Sequence, residues 1–249
     1  MTYCIVVSVQ DGLVLTSDSR TNAGIDNVSI HRKMHALRTA SDRMIVLLSA
    51  GNLATTQAVL DQLDRDIAEN APTNLNNVQF LSEAAEYLGQ VSLKKQHRHP
   101  NAGQNSFNPT ATFILAGQIG HTAHGAYLVY PEGNYITTSS HTPYLQIGEI
   151  KYGKPVLDRF LKNDTPLHEA GRCCLISMDS TMRSNVSVGP PVDLLFYSKD
   201  SFLLNEYYSF HEDDNYLIQL RRTWHEKLKE SFATLPQVSR LDAMPLPFH

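Results

Sequence analysis

A threonine stands directly behind the first methionine, at the head of the segment "MTYCIVVSVQDGLVLTSDSR". A threonine hydroxyl is a weak nucleophile at neutral pH and needs a base beside it. If Met1 is removed, Thr2 gains a free α-amine whose pKa of about 7.7–8.0 suits a general base. Nucleophile and base would then come from one residue. Threonine behind methionine is small enough for ordinary methionine removal, so no propeptide is expected. The plain alternative is that Thr2 is only the second residue of an edge strand.

Other chemistry has less support in the residues. His97 with His99, and His121 with His124, lie in a loop and at a turn with no organised carboxylate partner, which fits surface histidines and no metal site. Cys4, Cys173 and Cys174 make neither a C-x-x-C pair nor an even disulfide framework, and buried free thiols are expected. There is no G-x-S-x-G elbow, phosphate loop or nucleotide fingerprint, and no cofactor is expected.

With 249 residues, 42% hydrophobic and 18% charged, the chain suits one large globular domain or two small ones. A net charge of -4 offers no field for nucleic acid or anionic lipid, and the basic "KKQHRH" of Lys94 to His99 reads as a solvated helix end. The longest apolar run, Met44 to Leu48, is too short to span a bilayer, and residues 1–20 lack a basic start followed by an apolar core. A cytoplasmic protein without a membrane or nucleic-acid partner is expected.

The elements that must position Thr2 follow from periodicity. Tyr3, Ile5, Val7 and Val9 alternate, "QDG" turns, and Leu13 and Leu15 resume, predicting an N-terminal hairpin. Strands around Lys33–Leu37 and Arg43–Ser49 follow. Helices are expected on Leu53, Leu60, Leu63 and Ile67, and then on Val78, Leu81, Ala85 and Leu88. The second half repeats the order: strands in "ATFILAG", "AYLVY", Tyr135–Thr138 and Tyr144–Ile147, then a helix on Val156–Leu161 and one in "DTPLHEAGRCCLISM" with Thr165 as N-cap and Pro166 in the first turn. "VDLLFY" and "SFLLNEYY" close the sheet, and a helix on Leu217, Leu220, Trp224 and Leu228 ends the chain. Two rounds of strands followed by paired helices bury both sheets only if the sheets stack with helices outside. The predicted class is therefore α+β, a four-layer αββα sandwich over residues 1–204, with residues 205–249 as a C-terminal helical extension.

The segment "TYCIVVSVQDGLVLTSDSRTNAG" followed by "RKM" resembles the start of mature β-type proteasome subunits and their bacterial relatives, a family of N-terminal nucleophile hydrolases. "SAGNLATTQAVLDQL", "PTATFILAG", "QIGEIKYGKPVLDR" and "SNVSVGPPVDLLFY" continue the likeness in order, from Thr2 to Tyr197. Within that family the sequence is most similar to the bacterial Anbu, or ancestral β-subunit, group. The resemblance implies that Thr2 attacks a peptide carbonyl, that Lys33 lowers the proton affinity of its hydroxyl and that Asp18 holds Lys33 in place. It further implies that the Gly51 N–H faces the oxyanion and that Ser187 bonds the terminal amine.

Taken singly, Asp18 and Arg20 also fit a surface pair, Lys33 a solvent-facing strand residue, Gly51 a turn and Ser187 a cap. Three departures bear on the site. The Gly24–Lys33 spacing is one residue short, which makes Arg32 a rival for the lysine's place. Ser184 stands where an acid is usual. Glu149 stands in "GEI" where a "GSG" element is usual, able to replace the missing acid, accept the Thr2 ammonium or face solvent. The implied function is a threonine peptidase acting on peptides or unfolded proteins inside a self-assembled homo-oligomeric ring, with any ATPase partner unknown. A ring-forming scaffold with weak or lost activity, and an amidase acting on a small amide, are the alternatives.

Overall fold

Continuous burial along a strand needs two covered faces, and the N-terminal hairpin has both: every residue of β1 (Tyr3–Val9) and β2 (Gly12–Ser17) except Ser8 is buried. The computed structural model describes residues 2–22, 28–97, 108–237 and 244; Met1, Gly24, His99 and the rest of the stretch 98–107 lie outside them. After the hairpin come β3 (Arg20–Asn22), β4 (Val28–Ile30), β5 (Met34–Ala40), β6 (Arg43–Gly51), α1 (Leu53–Ala68) and α2 (Leu81–Gln96). The second round comprises β7 (Ala111–Ile119), β8 (Gly125–Val129), β9 (Tyr135–Thr137), β10 (Tyr144–Gly148), α3 (Lys154–Phe160), α4 (Leu167–Ser184), β11 (Val192–Ser198) and β12 (Glu206–Phe210), and α5 (Asn215–Ala233) follows.

The strands form two five-stranded antiparallel sheets, ordered β10-β1-β2-β11-β12 and β5-β6-β7-β8-β9, while β3 and β4 pair with each other. Cys4, Val6, Leu13 and Leu15 of the first sheet share a buried cluster with Met44, Val46, Leu48 and Ile114 of the second. One step along β6 reverses the face. Ile45 and Leu47 accordingly pack with Phe113 and Leu115 against Val59 and Leu63 of α1 and Leu81, Ala85 and Leu88 of α2. On the far side of the first sheet the Tyr3 hydroxyl meets the Ser177 hydroxyl of α4 at 2.8 Å. Helix, sheet, sheet and helix are thus stacked in the predicted αββα order. All three cysteines are buried free thiols, and burial pushes the Cys173 thiol up to about 12.

Three local expectations need correction. Thr165 does not cap α4: its hydroxyl accepts the Lys162 N–H at 2.8 Å, and Pro166, extended at ψ 142°, takes the cap position. The lysine strand starts one residue late, at Met34. "SFLL" is not strand, because Asp200 and Phe202 take positive φ (63° and 51°) and break the extended path; Phe202 and Leu204 pack on the inter-sheet core instead.

The chain divides into two compact units, Met1–Glu212 and Asp213–His249. In the second, Asp214 caps α5 by accepting the Tyr216 N–H at 2.9 Å, and Ile218, Leu228 and Phe232 are exposed. Among the described residues no helix is long and apolar enough to cross a membrane.

Candidate active site

Strand ends build the site. Thr2 precedes β1, Asp18 follows β2, Lys33 precedes β5, Gly51 ends β6 and Gly148 ends β10. Hairpin register places Asp18 beside the start of the chain: its N–H donates to the Tyr3 carbonyl at 3.1 Å, and its Oδ1 accepts the Tyr3 N–H at 2.9 Å. On the other side of Thr2, β10 takes over. The Glu149 N–H donates to the Thr2 carbonyl at 2.7 Å, and Gly148, at φ +86°, lies so close that a Cβ there would overlap the Thr2 carbonyl oxygen. The Glu149 N–H therefore fixes Thr2 through its main-chain carbonyl, and Asp18 fixes the adjoining Tyr3, both independently of the Thr2 hydroxyl.

Gly148→Ala meets both a left-handed φ and a backbone clash, neither of which a rotamer change relieves. The expected result is a loss of about 2–4 kcal/mol, combining strain with disruption of the β1–β10 edge, measured as a lower denaturant midpoint. An unchanged midpoint would contradict the close approach.

Lys33 is the partner of Asp18. Its Nζ donates to Asp18 Oδ1 at 2.7 Å and to the Arg20 carbonyl at 2.6 Å, and an ammonium retains a third proton for the cleft that Lys33 lines with Thr2. Asp18 is fully buried and Lys33 only 5% exposed. Burial pushes the Asp18 carboxyl above the ordinary range, against the pull of the Lys33 ammonium and of the N–H groups of Tyr3 and Gly189, the latter 3.2 Å from Oδ2. Three donors converging on its two oxygens match a carboxylate, which only accepts.

Neither the surface pair of Asp18 with Arg20 nor the rival lysine place for Arg32 is realised. The Arg20 guanidinium instead donates to the Val186 carbonyl at 2.8 Å, holding the loop that follows α4, and Arg32 is exposed on the rim of the cleft.

Gly51 joins Thr2, Lys33 and Gly148 in the lining of a cleft of about 390 Å³. Its φ of +107°, and the Thr110 carbonyl packed where a Cβ would sit, require glycine at this passage from β6 to α1. The late-serine segment reaches the site differently from expectation. Glu149 is buried, and its Oε2 accepts the side-chain N–H of Asn185 at 3.0 Å; Asn185 Oδ1 in turn accepts the Ser187 N–H at 2.9 Å. Among the described residues the Ser187 hydroxyl has no hydrogen bond to Thr2, and Ser184 is exposed at the end of α4. Asn185 escaped the sequence reading, although its place two residues before Ser187, just past a helix, is an Asx-turn signal. Of the histidines singled out, His97 and His121 are exposed and the ring of His124 meets the Val9 carbonyl at 2.7 Å.

Stacked antiparallel sheets between helix layers, with a threonine at the head of the first strand and a buried aspartate–lysine pair beside it, define the fold of proteasome-type N-terminal nucleophile hydrolases. No protein-family model and no curated protein matches the sequence, but solved structures do. An Anbu (ancestral β-subunit) structure from Yersinia bercovieri is 43% identical, covering 96% of this chain and 99% of its own, at a TM-score of 0.90. The helical assembly of the Anbu complex from Pseudomonas aeruginosa is 42% identical over 97% and 100% of the two chains, at a TM-score of 0.90. Anbu from Hyphomicrobium sp. strain MC1 is 36% identical over 94% and 98%, at 0.85. The chain belongs to the Anbu family.

Proposed function

We propose that the chain is a threonine-type peptidase whose Thr2, made N-terminal by loss of Met1, hydrolyses peptide bonds. The observation that carries this reading is the Lys33 ammonium, fixed between buried Asp18 and the Arg20 carbonyl and lining one cleft with Thr2 and Gly51. The Thr2 hydroxyl oxygen attacks the scissile carbonyl and its proton passes to the α-amine, directly or through water. The Lys33 charge favours the developing alkoxide, Asp18 positions Lys33, and the Gly51 N–H accommodates the oxyanion. Collapse expels the leaving amine with that proton, and water then hydrolyses the Thr2 ester with the same amine as base. Glu149, through Asn185, holds the Ser187 segment in place; exposed Ser184 has no part in it.

Peptides or unfolded segments are the substrate class. Self-association is supported by the helical assembly of the Pseudomonas relative, and an open helix and a closed ring differ only in whether the repeated rotation closes. The cytoplasm is the proposed location. The competing scaffold reading draws on the Ser187 hydroxyl, which among the described residues makes no hydrogen bond to Thr2, since an amine without that contact is a poorer base.

The pH profile decides between them. The amine must be neutral to accept a proton, so kcat/KM for peptide hydrolysis is expected to rise with pH through about 7.7–8.0 in processed protein. Absence of turnover across pH 6–9 in protein shown by mass to begin at Thr2 would leave the scaffold.

A further inference from the structure

Besides the residues already placed, the cleft beside Thr2 is lined by Thr21, His31, Ser49, Ala50, Leu53 and Thr56. Its charge is one-sided. Among the described residues no aspartate or glutamate lines it, and the Lys33 charge is balanced by Asp18. The exposed Arg32 guanidinium has neither an ion pair nor a hydrogen bond among the described residues. Its field reaches inward: His35 is pushed down first by its own burial and then by the Arg32 charge.

Helix α1 adds to this. Leu53 and Thr56 of its first turn lie in the wall; Asn52 caps the Thr55 N–H, but that turn carries no acidic residue, so no negative charge offsets the positive end of the helix dipole at the cleft. Ala50 and Leu53 give the wall apolar surface beside Thr21, Ser49 and Thr56. A cationic side chain is repelled here, and a carboxylate finds the Arg32 guanidinium, a helix N-terminus and the hydroxyls of Thr21 and Ser49, whereas the Thr56 hydroxyl already donates to the Asn52 carbonyl at 3.1 Å.

We infer that the cleft selects peptides bearing a carboxylate side chain, Asp or Glu, on the residue whose carbonyl faces Thr2, and that Arg32 is the residue that reads it. The placing of that carbonyl rests on the peptidase reading above; the charge preference rests on the lining alone.

The test separates the two. In full-length Thr2→Ala protein, where no covalent step occurs, N-acetylated peptides differing only at that residue (Glu, Leu or Lys) compete with a fluorescein-labelled Glu peptide. The Glu peptide is expected to bind about tenfold more tightly than the Leu peptide, as suits a hydrogen bond between charged groups, and to lose most of that margin at high salt. Arg32→Gln should equalise Glu and Leu, and Arg32→Glu should favour Lys. In parallel, unmutated protein is treated with threonine-directed epoxyketones carrying the same side chains and the Thr2 adduct is quantified. Equal affinities, or a Glu preference that survives both Arg32 variants, overturn the inference, and Thr2 adducts in the same samples leave the peptidase reading standing. An Arg32-dependent Glu preference without any Thr2 adduct upholds the inference and sinks the peptidase reading. Failure of every peptide to bind overturns the inference.

Discussion

Lys33→Met is expected to lower peptide hydrolysis by about 10²–10⁴-fold, the range in which a single preorganised charge at a developing oxyanion contributes. Methionine keeps the length of the side chain and removes its charge, leaving the Asp18 carboxylate buried with only the N–H groups of Tyr3 and Gly189. Removing one partner of a buried pair costs about 3–5 kcal/mol, because the remaining charge stays desolvated and uncompensated.

The pH dependence of that cost has a defined sign. Burial already holds Asp18 above its ordinary value, and Lys33 is the largest opposing pull, so the variant's folded-state pKa rises further. A carboxyl raised in the folded state takes up its proton there first, and folding gains as pH falls through that raised value. The penalty of Lys33→Met should therefore be largest at pH 7 and shrink toward pH 5, read from denaturant midpoints at the two pH values. A penalty independent of pH would mean that loss of Lys33 leaves the proton affinity of folded Asp18 unchanged between pH 5 and 7.

Thr2→Ala should remove about 10⁴-fold or more of the activity with little change in stability, since single losses from an interdependent nucleophilic group abolish most of its catalysis. The fold should tolerate it, because the bond holding Thr2 from Glu149 uses the main-chain carbonyl. Thr2→Ser, which keeps both hydroxyl and amine, should retain turnover. Equal turnover in Thr2→Ala and unmutated protein would place the nucleophile elsewhere.

Most of the layer order was readable because both sheets are covered on both faces and both helix pairs carry apolar stripes. The hairpin, the β6-to-α1 passage and the repeat of strands and helices all show in period alone. What was not readable depends on contacts rather than on period. β3 and β4 are three residues each and carry no alternation. Phe202 and Leu204 are apolar because they pack on the core, and an apolar run of that length looks like a strand until the positive φ values at Asp200 and Phe202 are known.

The site divides in the same way. Thr2, Asp18, Lys33 and Gly51 sit at or beside strand ends that the pattern places, and their grouping as a site came from the family resemblance. Which cation Asp18 takes was implied by the family resemblance alone, because Arg20 and Lys33 are equally good partners by charge. Tertiary structure decides: Asp18 and Lys33 are buried together, whereas the Arg20 guanidinium turns to the Val186 carbonyl. Asn185 joins Glu149 to the Ser187 segment across 36 residues, a contact no local spacing encodes.

The central claim is that Thr2 is a nucleophile set beside a buried aspartate–lysine pair. Its most direct test is intact and peptide mass after exposure to an N-terminal-threonine-directed electrophile, with Thr2→Ala as the control. The account predicts loss of Met1, one adduct per chain on the peptide beginning at Thr2, and none in the control. A processed, folded chain that takes no adduct, or one that takes it equally in Thr2→Ala, would contradict it.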